Sequence, residues 1–444
     1  MPLQVSKDRR FLVHDDGTPF FYLGDTAWEL FHRLTRDESD LYLQTRAAQG
    51  FTVIQAVVLA EHEYDQPGPG GHLPLHGNDP ATPNEPYFAH VDWVVQRANA
   101  LGLWVGLLPT WGDKWNKAWG AGPEIFTPRN ARLYGEFLGR RYANDRVIWI
   151  LGGDRPVETD RRREIIRAMA AGLAEGDGSL HLRTFHPPGG RSSSEYFEDD
   201  AWLDFNMMQT GHSRNSPNYD KIAADYALTP TKPCLDGEPG YEGHPESFNP
   251  PNGYLNDSDT RKAAYWAVFA GACGHTYGCH DIWQFLDTSR FAPVTAARTP
   301  WREALQLPGA SQMRHLRALI ESRPFLSRIP DQALLVSDPG AGADHVQATR
   351  DADGSYAFVY SAAGQPFTFD TAALSGATSS AWWYDPRTGQ ATAGGRFTRA
   401  QTLRFTPPAH ESSQDWVLVL DDAARNYSPP GTGEGQGRGT MQVQ

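Results

Sequence analysis

Short apolar runs recur along the first three quarters of the chain, and each is followed by a longer stretch whose apolar positions repeat at helical spacing. Read as strands, the runs fall at 20–25 (FFYLGD), 51–59 (FTVIQAVVL), 103–111 (LWVGLLPTW), 147–154 (VIWILGGD), 181–187 (HLRTFHP), 203–212 (LDFNMMQTGH), 232–238 (KPCLDGE) and 275–283 (HTYGCHDIW). The spacing predicts helices over 85–102, 131–145, 159–177 and 258–274, among others. Strands alternating with helices predict a parallel sheet, and eight such units predict an α/β fold closed into a (β/α)8 TIM barrel. An open doubly wound sheet is the alternative, but no G-x-G-x-x-G turn follows any early strand. Ahead of the first strand, FLVHDDGTPFFYL reads as a hairpin leading into the barrel.

Beyond Pro330 helical periodicity stops and short alternating strands take over, with DADGS and DPRTG supplying Asp and Gly for tight turns. Six or seven strands in roughly 95 residues suit a small all-β sandwich. The expected division is a barrel over 1–329, a β-sandwich over 330–424 and a disordered Gly- and Pro-rich tail over 425–444. The Trp382–Trp383 pair is expected to pack against the barrel rather than bind a ligand.

Composition narrows the partner. A net charge of −13 with scattered Lys and Arg argues against nucleic acid or an anionic membrane surface. An aromatic content of 12%, including 14 Trp, with many rings at strand ends, favours neutral sugar rings. Cys234, Cys273 and Cys279 show neither disulfide nor zinc-ligand spacing and read as buried small residues. With neither a leader-like apolar run nor an 18-residue apolar stretch, a cytoplasmic address is expected, or a secreted one if a leader has been removed. Oligomeric state is left open.

Barrel enzymes carry their chemistry at the C-terminal ends of the strands, so polar groups directly after each apolar run are the candidates. Those expected at a substrate are Asp25 and Trp28, Glu61, Trp111, His186, Gln209 with His212, Tyr241, and His275 with Trp283. Cleaving an acetal needs two carboxyl groups, one to protonate the leaving oxygen and one to stabilise or trap the oxocarbenium-like centre. Asp154 and Glu238 fit best: each closes an apolar strand, each adjoins glycine, and strands 4 and 7 lie across the barrel mouth. A separation of about 5–5.5 Å between them would predict retention through a glycosyl-enzyme intermediate. Asp25, Glu61, Asp113, Asp236, Glu242 and Asp281 compete for these roles, and Asp236 shares the parity of Glu238 unless a bulge intervenes at Gly237. His186, His212, His275 and His280 raise a metal-dependent hydrolase as a competing reading, but without an HExxH-type spacing neither metal nor cofactor is expected. No G-x-S-x-G elbow marks a serine nucleophile.

Together FLVHDDGTPFFYLGDTAWELFHRLTRDE, VIWILGGDRP, KPCLDGEPGYEG and GHTYGCHDIW resemble the apiosidase-like enzymes of glycoside hydrolase family 140, over nearly the whole chain. The resemblance implies a clan A barrel with a C-terminal β-sandwich, Asp154 of GGDRP as acid/base, Glu238 of DGEPGYE as nucleophile, and release of apiose from plant glycosides or pectic side chains. An arabinofuranosidase or other retaining glycosidase, and a non-catalytic carbohydrate-binding barrel, are the other readings left open.

Overall fold

A computed structural model describes residues 2–399, 402–408 and 414–432. Eight parallel strands form the barrel: β1 (Tyr22–Thr26), β2 (Val53–Leu59), β3 (Trp104–Thr110), β4 (Val147–Gly152), β5 (Arg183–His186), β6 (Asn206–Gln209), β7 (Cys234–Glu238) and β8 (Gly274–Tyr277). Their hydrogen-bonded order runs β5-β4-β3-β2-β1-β8-β7-β6, and the short strand Arg191–Ser192 pairs antiparallel with the outer edge of β6. The two ends of this sheet meet at a seam joined by single bonds, the Asp204 N–H donating to the Arg183 carbonyl (2.9 Å) and Thr184 Oγ1 donating to the Phe205 carbonyl (2.7 Å). The cylinder is therefore nearly closed.

Local sequence sets the helix ends. The helix Asp160–Asp177 starts where Thr159 accepts from the Arg162 N–H and stops at Gly178, whose φ of 68° is left-handed. It crosses the preceding helix, Pro128–Arg141, at a contact made of glycines: a Cβ on Gly172 would stand 2.1 Å from the Arg132 carbonyl oxygen. One expected strand is shorter than its apolar run. β8 ends at Tyr277 because Gly278 packs under the Tyr241 ring, and His280–Trp283 forms a helical turn instead.

The C-terminal part is all antiparallel. Six strands (Arg328–Pro330, Val346–Asp351, Tyr356–Ser361, Trp416–Asp422, Thr378–Tyr384, Ala391–Thr398, in spatial order) form one layer, and Phe367–Asp370 with Thr402–Phe405 form a second, smaller one. Strand alternation divides the larger layer's side chains. Ala357, Val359, Leu418 and Leu420 face the small layer, whereas Tyr356, Phe358, Tyr360, Val417 and Val419 join the barrel core. The same rule splits the tryptophan pair, Trp382 against the barrel core and Trp383 against the sandwich core. Part of the expected tail is packed: Tyr427 lies under the Arg323 guanidinium and its hydroxyl meets Ser355 Oγ at 3.0 Å, while 433–444 fall outside the described residues. Cys234, Cys273 and Cys279 are all free and buried. Among the described residues no helix is long and apolar enough to cross a membrane.

Candidate active site

A cavity of about 610 Å³ opens at the C-terminal ends of the strands. Four acids line it, Glu29, Glu61, Asp154 and Glu238. The other strand-end acids are engaged elsewhere. Asp113 holds Lys114 Nζ at 2.8 Å, Glu242 accepts from the Tyr277 hydroxyl at 2.6 Å, and Asp281 accepts from the Arg298 and Thr299 N–H groups. Asp25, expected at the substrate, is instead wholly buried behind the barrel wall, bonded to Arg46 Nε (2.6 Å) and the Tyr42 hydroxyl (2.5 Å). Strand parity causes this: Tyr22 points into the barrel to meet Gln55, so Asp25 three residues later points out.

Asp154 follows two glycines with φ of 100° and 97° and itself has φ of 59°. Glycine is required at position 153, because a Cβ there would stand 2.7 Å from the Gly112 nitrogen. The turn aims the Asp154 carboxyl at the cavity. Its Oδ2 accepts from Arg155 Nη1 (2.8 Å) and Trp119 Nε1 (3.2 Å), while Arg155, itself buried, reaches Glu61 Oε1 through Nη2 (2.6 Å). Glu238 ends β7 after a register shift opposite Met208 and Gln209 that skips Gly237. That bulge separates Glu238, on the cavity, from Asp236, which turns away to Thr210 Oγ1 (2.6 Å) and Asn218 Nδ2 (3.1 Å).

His186 connects the pair. Its Nδ1 accepts the Asp154 N–H at 3.2 Å, so Nε2 carries the ring proton, and that nitrogen lies 2.8 Å from Glu238 Oε2. His212 Nε2 stands 3.3 Å from the other oxygen. Burial works to raise the Glu238 carboxyl, but the contacts with His186 and His212 outweigh it and hold Glu238 well below the usual carboxylate range. Asp154 moves the other way: burial and then the charge of Glu238 raise it, against the pull of Arg155. The cavity therefore pairs an ionised carboxylate with a carboxyl biased toward its proton-bearing form.

Of the remaining candidates, Trp28, Trp111, Gln209, His212, Tyr241 and Trp283 all line the cavity. His275 does not. It is buried within β8 and burial pushes its imidazole down to about 3. Glu29, Trp119, His244 and Phe248 also line the cavity and were missed from sequence. Trp119 and Phe248 sit in long loops after β3 and β7, and the length of those loops is the signal that could have drawn attention to them. Burial raises Glu29 to about 8 and Glu61 to about 7, so both stay largely protonated at mildly acidic pH and can donate as well as accept. His280 is fixed neutral, its Nε2 against the Thr295 carbonyl and its Nδ1 accepting from Trp283 Nε1. No group of three or more His, Cys, Asp or Glu among the described residues is arranged to hold a metal ion.

A parallel barrel of this form, with carboxyl groups gathered at the C-terminal mouth, is the clan A glycoside hydrolase fold. The family model for the "Apiosidase-like, catalytic domain" matches residues 6–327, and the chain belongs to that family. Residues 329–421 match a second model, described as "Putative collagen-binding domain of a collagenase". Among solved structures, the chain is similar to a glycoside hydrolase family 5 protein from Bacteroides vulgatus ATCC 8482, at 33% identity and a TM-score of 0.88 over 96% of this chain and 95% of that one. A second structure, titled glycoside hydrolase, shares 33% identity with a TM-score of 0.86 over 96% of this chain and 98% of its own. No curated protein matches.

Proposed function

We propose that this protein is a retaining furanosidase, an apiosidase acting on plant-derived apiosides, with Asp154 as acid/base and Glu238 as nucleophile. The observation that carries the reading is the opposed bias of two carboxyls in one cavity, with the His186 ring accepting the Asp154 backbone N–H on one side and set against the Glu238 carboxyl on the other. Protonated Asp154 gives its proton to the leaving oxygen as the glycosidic bond breaks, and a Glu238 oxygen bonds to the anomeric carbon. Water then attacks that carbon, returns a proton to Asp154 and frees the Glu238 carboxylate. A nucleophile must be ionised before substrate arrives, and His186 and His212, whose Nε2 atoms stand 2.8 and 3.3 Å from the two Glu238 oxygens, favour that state. The charge of Glu238 acts on Asp154 across the cavity, and retention is the outcome for such a pair held about 5–5.5 Å apart. Likeness to the apiosidase-like family supports an apioside as the substrate, and an arabinofuranoside is the alternative.

The test is a panel of 4-nitrophenyl glycosides that includes the apioside and both arabinofuranosides, followed by proton NMR of the first-formed sugar. Apioside as the best substrate, with the anomer retained, is expected. Preference for an arabinofuranoside would reassign the sugar, and an inverted first product would remove the double displacement. No turnover across the panel would leave the non-catalytic barrel.

A further inference from the structure

We propose that Trp119 is the platform on which the leaving group stacks, and that its indole N–H fixes Asp154 so that Oδ1 is the oxygen that protonates the departing oxygen; this rests on the glycosidase reading above. Among the described residues the large hydrophobic side chains left exposed include two aromatics, Trp119 and Phe248, each 62% exposed, and both line the cavity. An indole left in water forgoes the stabilisation that burial would give it, unless a ligand covers it.

The loop that carries Trp119 is anchored. Gly122 N donates to Asp113 Oδ2 (2.7 Å), Lys114 Nζ donates to the Gly122 carbonyl (3.0 Å), and the Lys117 N–H donates to Glu124 Oε1 (2.8 Å). Gly120 lies so close beneath that a Cβ would stand 2.4 Å from Arg155 Nη2 and 2.7 Å from Glu61 Oε1. The guanidinium of Arg155 covers one face of the indole, 4.7 Å from a ring centroid, so the exposure belongs to the other face. A flat apolar surface held in place at a cavity rim suits the apolar face of a sugar ring or a planar aglycone.

Its side of the cavity is set by its hydrogen bond. Asp154 Oδ2 receives Nε1–H of Trp119 and Nη1–H of Arg155, and neither group can accept, so the proton of the neutral carboxyl must sit on Oδ1. The leaving oxygen has to meet Oδ1, and whatever that oxygen carries extends past the acid toward its indole neighbour. Phe248 packs instead against His212 and His244 (ring centroids 5.5 and 4.7 Å), and His212 in turn touches Glu238.

The full-length W119A and W119F variants separate the two roles. With the 4-nitrophenyl glycoside that wild type cleaves best, W119A is expected to raise KM about fivefold to tenfold, while Ki for the free sugar released from that substrate moves by less than about twofold. With the corresponding methyl glycoside, which presents no ring to stack, W119A is expected to lower kcat and leave KM in place. W119F keeps the ring and loses the N–H, so KM stays near wild type and the descending pH limb of kcat/KM for the methyl glycoside moves to higher pH. Equal rises in KM and in Ki for the free sugar would put the indole under the glycone and overturn the proposal. Wild-type KM values and pH limbs in both variants would overturn it while leaving the glycosidase reading intact. A wild type inactive on every glycoside would overturn both.

Discussion

At the scale of single residues, the cavity assigns opposite tasks to two similar side chains by changing what surrounds them. Asp154 must be protonated to act, and its proton is held more tightly than an ordinary carboxyl's because burial and the charge of Glu238 both disfavour ionisation. Activity in kcat/KM is therefore expected to fall as pH rises through that elevated value. Glu238, held ionised below the usual range, should give no loss of activity on the acid side near pH 4 to 5. D154N removes the transferable proton, so unactivated glycosides should slow by about 10²–10⁴-fold, aryl glycosides with good leaving groups much less, and the descending limb should vanish. Equal slowing of both substrate classes would take the donor role from Asp154. E238Q is expected to abolish turnover and keep binding, since amide and acid are nearly isosteric, and wild-type rates in that variant would exclude Glu238 as nucleophile. Asp25 makes the contrasting case. It was expected at the substrate, yet it pairs with Arg46 where both side chains are fully buried. D25N should cost stability, about 3–5 kcal/mol from the uncompensated Arg46, with kcat unchanged at temperatures where the protein remains folded. A lost kcat at unchanged thermal midpoint would return Asp25 to the site.

At the scale of elements, what the sequence reveals depends on how regular each piece is. The eight-fold alternation and the polar residue after each apolar run brought Asp154 and Glu238 to one rim without any knowledge of contacts. Parity within β1 was also readable, because an inward Tyr22 forces Asp25 outward, and only the attraction of an acid at a strand end obscured it. The Gly237 bulge could be posed as a question but not answered, since a register shift depends on the partner strand and on Met207, which fills the space a Cβ at Gly237 would need. Trp119, His244 and Phe248 had no periodic signal at all: they sit in loops held by side-chain-to-backbone bonds, such as those of Asp113 and Lys114 to Gly122 around Trp119, which no periodicity encodes. The tight turn after β4 offers a test at this scale. In G153A a side chain must adopt φ near 97° and press on the Gly112 nitrogen, which itself donates to the Gly153 carbonyl at 3.0 Å. We expect a loss of about 1–3 kcal/mol in stability and a fall in kcat from a displaced Asp154, read by thermal unfolding and by steady-state kinetics. A variant matching wild type in both would show that the turn does not position the acid.

At the scale of the whole molecule, barrel and sandwich are joined through one continuous core, with Tyr265 stacked on Tyr360 at 4.8 Å and Arg261 paired with Asp415 across the junction at 2.9 Å, both ends nearly fully buried. Burial on this scale also leaves many titratable groups out of water, and they give the fold a pH dependence of its own. Burial raises Glu29 to about 8 and Glu61 and Glu242 each to about 7, above the ordinary 4.5. Such groups stabilise the fold fully below pH 4.5, where folded and unfolded chains are both protonated, and that stability is lost as pH rises through 7 to 8. Buried histidines act in the opposite direction. His62 and His280 are lowered to about 4 and His275 to about 3, so their contribution is complete above the ordinary 6.5 and is lost as pH falls through 4 to 3. Above pH 6.5 the histidines no longer change and the carboxyls act alone, so the thermal midpoint should decline from there toward pH 8. Below pH 4.5 these raised carboxyls no longer change, and the midpoint should decline again as the histidines are forced to charge and the lowered Glu238 takes up its proton. Maximum stability is expected at mildly acidic pH, between those two bounds. Glu242 lies outside the cavity lining, so E242Q isolates one carboxyl of the set without touching the substrate site. Its midpoint should fall less steeply than wild type's between pH 6.5 and 8, by an amount corresponding to at most about 2 kcal/mol, and parallel curves for the two proteins would show that Glu242 is already ionised in the fold.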